Sequence, residues 1–296
     1  VKVLLLGSTG MLGQSLLKKL QHENFTVVTL SRENSDYNID FLSESVQINK
    51  IIIKERPDIV INAAALVNLN YCESHPGEAY IINSRLPGLL TQACKQANIY
   101  FVQISTDHYY SDDKKMSHNE EHKVNLLNEY ARTKFAGESF SLTYSNALVV
   151  RTNIVGFRNK VGFPTFVEWV IKSLEYNEEI TAYTDFYTSS IDVESFSDIL
   201  IELLDNKSTG LINVASSDTV SKFEFISSLA ILLEKEKNVM KGLMDSVQGI
   251  KRATSLGLDV TKLKRILKHN KIPSSEEVIK NIYKQYKEGA YFELQK

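Results

Sequence analysis

Val1-Lys2-Val3-Leu4-Leu5-Leu6-Gly7-Ser8-Thr9-Gly10-Met11-Leu12-Gly13 is the stretch from which the rest of the chain is read. Val1–Leu6 is apolar and β-prone, with Lys2 its single polar residue, as expected of a strand buried on both faces of a parallel sheet. The glycines that follow are spaced GxxGxxG, and Gln14–Leu20 then takes up helical spacing. Gly7 allows the tight turn, Gly10 lets a pyrophosphate approach the backbone, and Gly13 lets helix and strand pack closely. The helix N-terminus faces the phosphates, and Thr9, Met11 and Leu12 complete the candidate loop. The spacing departs from the older GxGxxG fingerprint, but its place between a first strand and a first helix is the one a dinucleotide site requires.

Working outward, Thr26–Leu30 reads as the second strand and ends at Ser31-Arg32, where an NAD-selective site often carries an acidic residue on the ribose hydroxyls. Arg32 pairs instead with a 2′-phosphate, which favours NADP(H) over NAD(H); an exposed arginine after a strand is the plain alternative. Asp40 either reaches the adenine or caps a helix beginning near Ser43. Val46–Lys54 reads as an amphipathic helix, and Ile59–Ile61 as a strand running into Asn62-Ala63-Ala64-Ala65. These small side chains let a dinucleotide lie against the backbone, or let a neighbouring helix pack. A long helix is expected over Glu78–Ala97, containing Asn83, and a strand over Ile99–Ile104. The alternation predicts an α/β fold, a Rossmann-type doubly wound parallel sheet with a smaller, mainly helical substrate-binding domain.

Two later runs carry chemistry: Ser105-Thr106-Asp107 and Tyr130-Ala131-Arg132-Thr133-Lys134. Residues four apart on a helix share a face, so Tyr130 and Lys134 can enter one cleft, although such pairs are often only solvated. A nearby ammonium stabilises a phenolate and brings the tyrosine nearer the working pH of a general acid. Thr106, at the mouth of a strand, adds a hydroxyl.

Together the three glycines, Arg56-Pro57-Asp58-Ile59-Val60-Ile61-Asn62-Ala63-Ala64-Ala65, Asn83, Ser105-Thr106-Asp107 and Tyr130/Lys134 with Gly137-Glu138 resemble the extended short-chain dehydrogenase/reductase superfamily. Within it the chain is most similar to the dTDP-4-dehydrorhamnose reductase family. The likeness is densest from about 56 to 155 and returns at Ser255-Leu256-Gly257-Leu258-Asp259 with Lys262-Leu263. It implies hydride transfer to C4 of a 4-keto-6-deoxy sugar on a nucleoside diphosphate. Tyr130 is then the acid, Lys134 holds the nicotinamide ribose and lowers the tyrosine pKa, Thr106 polarises the carbonyl, and Asn83 lies near the site, among the cofactor contacts. Asp107 and Arg252 are the candidate substrate contacts. The chain departs from the family at His108-Tyr109-Tyr110-Ser111-Asp112-Asp113, at Thr184–Ser190 and at Arg252-Ala253, so a metal-assisted dimer of the family type does not follow, while a homodimer stays open.

The expected dinucleotide domain covers 1–152 with a return at 186–216, and the substrate domain 153–185 and 217–296. Phe166–Leu174, Ile191–Leu204 and Ser221–Glu234 read as helices, the last capped by Ser221 or Asp218, and Leu211–Val214 as a strand. Arg158, Lys160, Lys251 and Arg252 are cationic candidates for the diphosphate, and Trp169 or a tyrosine for stacking. With 296 residues, 43% hydrophobic, the chain can bury a large core, and a net charge of −2 gives no reason to invoke nucleic acid. No membrane span or signal peptide is expected, and Cys72 and Cys94 form no metal spacing, which makes the cytoplasm the default. His118 and His122 could chelate a metal on a helix, but the polar run around them reads as a solvated loop, and no metal is expected. Two other functions stay open: an epimerase or dehydratase with tightly held NAD, and a non-catalytic dinucleotide-binding regulatory subunit.

Overall fold

Seven parallel strands form the main sheet of the computed structural model, which describes residues 1–44, 47–110, 113, 116–244 and 249–291. They are β1 (Lys2–Leu6), β2 (Thr26–Ser31), β3 (Tyr37–Asn38), β4 (Ile59–Asn62), β5 (Tyr100–Ile104), β6 (Ala147–Arg151) and β7 (Gly210–Asn213). Leu4 pairs with Val28 on one side and Val60 on the other, which puts β1 in the interior of the order β7-β6-β5-β4-β1-β2-β3. The order reverses beside β1, and the crevice at the carboxyl ends of the strands opens there. Val3 and Leu5 enter the core on one face while Leu4 and Leu6 enter the other, all four fully buried. That is the burial anticipated for an unbroken apolar strand.

Helices α1 (Met11–His22) and α2 (Gln47–Glu55) follow their strands. The long helix expected over Glu78–Ala97 begins earlier and changes pitch: Pro76–Tyr80 is α-helical, Ile81–Arg85 is a π turn, and α3 (Leu86–Ala97) resumes the α pitch. The π turn packs against α4 (Glu129–Ser141) so closely that a Cβ at Gly137 would stand 2.1 Å from the Asn83 carbonyl oxygen.

Helices α5 (Phe166–Glu175), α6 (Val193–Asp205), α7 (Lys222–Leu232) and α8 (Ser275–Lys287) complete the larger elements. Ile191–Asp192 is a short strand beside Ile154–Val155, so the helix expected from Ile191 starts two residues later, capped by Asp192. A separate core gathers Val167, Val170 and Leu174 of α5, Phe225 and Leu229 of α7, and Val278 and Ile282 of α8. Thr165, Ser221 and Ser274 close reciprocal capping boxes with Glu168, Glu224 and Glu277. Ser221 is thus the cap of α7, while Asp218 accepts from the Ser275 N–H at 2.7 Å. Leu258, Val260, Leu263 and Ile272 return to the core of the main sheet, so the last part of the chain serves both cores.

Val220–Ser221, Tyr187–Thr188, Ser255–Leu258 and Ser117–His118 form a four-stranded sheet. His118 is fully buried within it, which overturns the solvated loop expected there. Among the described residues no helix is long and apolar enough to cross a membrane. Val46, Ser111 and Asp112, used in the sequence reading, lie outside the described residues.

The glycine at the start of α1 admits a direct check. A Cβ at Gly13 would stand 2.1 Å from the Gly7 carbonyl oxygen, whereas one at Gly77 meets nothing within 4 Å. Gly13→Ala is expected to lower stability by about 1–3 kcal/mol in urea unfolding, as overpacking does. Gly77→Ala should leave it unchanged or raise it slightly.

Candidate active site

Asn128 starts α4 by accepting the Ala131 N–H on its side chain at 2.9 Å, and the helix then presents Tyr130 and Lys134 one turn apart, both buried. Lys134 Nζ donates to the carbonyl of Ile104, the last residue of β5, at 2.7 Å. The chain leaves β5 through Ser105-Thr106-Asp107, where the Thr106 hydroxyl donates to Asp107 Oδ1 at 3.4 Å and is close enough to the Tyr130 phenol to act on its pKa. Thr106 Oγ1 also accepts the His108 N–H at 3.3 Å. Tyr130 packs against Cys72 and Ala79, and the His108 ring meets it edge-on at 5.4 Å. The three residues expected around one carbonyl oxygen are therefore gathered at the carboxyl edge of the sheet.

Their electrostatics differ from the expectation in one respect. Burial raises the Tyr130 phenol above its ordinary value, and the Thr106 hydrogen bond only partly opposes this. Lys134, occupied by the Ile104 carbonyl and itself pushed down to about 8 by burial, does not bring the phenol down in the chain alone. A dry phenol keeps its proton, which suits a group that is to donate one.

The glycine loop lies on the same carboxyl edge of the sheet, after β1 and two strands from β5. Gly7 has φ +80°, and a Cβ there would stand 2.8 Å from Ala64 N, so the loop rests on the Ala63–Ala64 backbone. Ala63, Ala64 and Ala65 are half-buried. Gly10 is the N-cap of α1 with no side chain capping it, and the first turn, with Met11 and Leu12, carries no acid. Beyond β2, Arg32 is exposed while the Ser31 hydroxyl is spent on the Glu33 carbonyl at 2.7 Å. Asp40 bonds the Leu42 N–H at 3.0 Å, which makes it the cap of a local turn. The Asn83 amide is taken up at both ends: Oδ1 accepts the Leu66 N–H at 2.9 Å, and Nδ2 donates to the Leu66 carbonyl at 3.0 Å and to Thr133 at 3.3 Å. Asn83 thus fixes the loop after β4 against α4.

Three residues that the sequence did not single out join the site. Asn153 donates to Asp107 Oδ2 at 2.7 Å. Lys222, at the first position of α7, is half-buried, with its ammonium 4.2 Å from the Phe166 ring centre and close enough to feel the charge of Asp107. His108 is held down to about 4 by burial and by the charges of Lys222 and Arg252, and so stays neutral. Arg252 is exposed near His108, in accord with a place at the rim. Arg158 and Lys160 do not join it: Arg158 bonds the Phe163 carbonyl, and Lys160 pairs with Glu33 at 3.7 Å, beyond the second strand. Trp169 is exposed and lies beside Phe166. Ser8 Oγ after β1, His108 Nδ1 after β5 and Thr152 Oγ1 after β6 are buried without a hydrogen-bond partner. Three orphaned groups along one sheet edge fit a polar ligand lying across it.

Comparison with known proteins agrees with this geometry. The family model described as RmlD substrate binding domain matches residues 1–288. A probable low-salt glycan biosynthesis reductase of Haloferax volcanii is 26% identical over 230 residues, 74% of this chain and 76% of its own length. The dTDP-4-dehydrorhamnose reductase of Escherichia coli is 26% identical over 231 residues, 76% of each chain. The crystal structure of dTDP-4-dehydrorhamnose reductase from Bacillus anthracis, in complex with NADP, superposes with a TM-score of 0.86 at 23% identity, covering 96% of this chain and 99% of that one.

The buried Asp107 makes the site sensitive to pH. Burial lifts its carboxyl to about 7, despite Asn153 and the charge of Lys222. The folded-state value lies above the unfolded one, so this stabilising contribution is complete below the unfolded pKa near 4 and is lost as pH rises through about 7. Asp107→Asn should therefore gain stability over the native chain between pH 4 and 8, by at most about 4 kcal/mol at 1.36 kcal/mol per unit. Denaturant unfolding at several pH values measures this gap, and a gap independent of pH would rule it out.

Proposed function

The chain belongs to the RmlD substrate binding domain family, and on that premise we propose that it is an NADP(H)-dependent reductase of a nucleoside-diphosphate 4-keto-6-deoxy sugar. The observation that carries the reading is the meeting of buried Thr106, Tyr130 and Lys134 beside an uncapped helix N-terminus. The kinds of reaction named for the Escherichia coli and Haloferax volcanii relatives support the substrate class and a role in polysaccharide or glycan precursor synthesis.

The free N–H groups at the start of α1, with the orphaned Ser8 hydroxyl, fit a pyrophosphate. Arg32, exposed after β2, complements a 2′-phosphate. When bound, the reduced nicotinamide supplies a hydride to the substrate carbonyl carbon. Thr106 donates to the carbonyl oxygen and holds it at the phenol. Tyr130 delivers its proton to that oxygen, so that hydride and proton together make the hydroxyl. Lys134, which donates to the Ile104 carbonyl, would hold the ribose hydroxyls of the bound cofactor and face the phenolate as it forms. Arg252 is assigned to the diphosphate at the rim, and Asp107, with Asn153 and Lys222 behind it, to the sugar. Every residue named here comes from one chain, so a homodimer would leave the site intact. The buried free thiols of Cys72 and Cys94 accord with a reducing compartment such as the cytoplasm.

On adding a dTDP-4-keto-6-deoxyhexose, the native protein should consume NADPH faster than NADH. Tyr130→Phe should cut turnover about a hundredfold or more while NADPH binding persists, the scale of a general acid's contribution. NADPH binding with no consumption by the native chain on any such sugar nucleotide would leave the regulatory-subunit reading instead. In a separate test, Arg32→Ser should weaken NADPH about tenfold and leave NADH unchanged; equal losses for both would remove Arg32 from cofactor selection.

A further inference from the structure

Asp113, His118 and His122 converge beside Tyr110, with their potential ligand atoms all within 4.8 Å of one another. His118 is fully buried, its ring stacked on Tyr110 at 3.9 Å and met edge-on by His122 at 4.6 Å. Its Nδ1 faces the Gly257 carbonyl at 2.7 Å, and a carbonyl only accepts, so Nδ1 carries the proton. In the neutral ring Nε2 then bears a lone pair, and it points at Asp113 Oδ2 from 2.8 Å. At that distance either a second ring proton or a metal ion bridges the two atoms. The other carboxylate oxygen, Asp113 Oδ1, is buried without a hydrogen-bond partner.

We propose that Asp113, His118 and His122 bind a divalent transition-metal cation of the zinc type. Two imidazoles and one carboxylate are the donors such an ion prefers, whereas magnesium and calcium take oxygen ligands. The Nδ1–H bond to Gly257 is the outer contact that fixes a metal-binding histidine in the correct tautomer. Bonds of about 2.0–2.1 Å in a tetrahedron put ligand atoms roughly 3.3 Å apart, so the His118–Asp113 separation needs to open by about half an ångström. The fourth position falls to water. The ion takes no part in electron transfer. It clips Asp113, after β5, the turn that carries His122 and the strand containing Gly257 to one another.

The test uses the full chain after dialysis against a chelator, with zinc ion alone as the probe in calorimetry and cobalt(II) as a spectroscopic substitute. His118 is left intact because it also holds Gly257; the variants are His122→Gln and Asp113→Asn, with His269→Gln as the control. The native chain and the control should take up one zinc per chain at micromolar concentration or below. Both variants should bind at least tenfold more weakly and lose the visible bands of tetrahedral cobalt. Zinc should also raise the melting temperature of the native chain by a few degrees and not that of the variants, as expected of a ligand bound only by the folded state. Two results would overturn the proposal: no zinc uptake by the native chain, which would leave a second proton on His118 as the bridge to Asp113, or equal uptake by the variants, which would put the zinc elsewhere.

Discussion

The Glu138–Arg151 ion pair is the constraint on which the site depends. Both side chains are almost wholly buried, and Arg151 meets the carboxylate through two nitrogens, Nη2 at 2.5 Å and Nε at 3.1 Å. Such a pair is tolerated in a dry core only where the remaining hydrogen-bonding capacity is satisfied. Ser105 donates to Glu138 Oε2 at 2.8 Å, and Arg151 Nη1 reaches the Tyr110 hydroxyl at 2.7 Å and the Glu120 carbonyl at 3.3 Å. The pair therefore joins α4, which carries Tyr130 and Lys134, to β6 and to the exit of β5, which carries Thr106. An aliphatic pair of the same size could fill the space, but it would not set the rotation of α4 relative to the two strands. A planar guanidinium on a planar carboxylate does.

Around that frame, dryness governs the titrating groups. Burial moves Tyr130 and Asp107 upward and Lys134, Lys222 and His108 downward, always toward the neutral form. Partial compensation comes from the Asp107–Lys222 attraction and from hydrogen bonds at Thr106 and Asn153. A site in this condition holds its phenolic proton in reserve and gains polarity when a charged ligand enters. Reduction of a ketone consumes a proton, so a weak but well-positioned acid is the appropriate starting state.

Much of this could be read in the sequence because it rests on local periodicity. The unbroken apolar run before Gly7 becomes an interior strand, and the four-residue interval between Tyr130 and Lys134 becomes one buried helix face. What could not be read depends on partners distant along the chain. Ser117–His118 is too short to show alternation, and the burial of His118 comes with its pairing to Leu258 across the ladder. Lys222 resembles any solvated residue at a helix start until the rings of Phe166 and Phe225 meet its ammonium. Glu78–Ala97 has ordinary helical spacing, and only the approach of Gly137 to Asn83 marks where the pitch widens. The lowered phenol pKa expected from Lys134 ignored the Ile104 carbonyl, which takes the ammonium first.

The position of β7 in the chain bears on synthesis. Its partner β6 ends at Arg151, but β7 begins only at Gly210, and α5 is made between them although it belongs to the other core. On the ribosome, at about 5–20 residues per second, β6 therefore waits for seconds with one unpaired edge, a template to which another nascent chain could add. The second core waits longer still, since it needs Val278 and Ile282 of α8, which are made after β7. Both cores therefore draw on residues beyond Gly210: Leu258, Val260, Leu263 and Ile272 for the first, Val278 and Ile282 for the second.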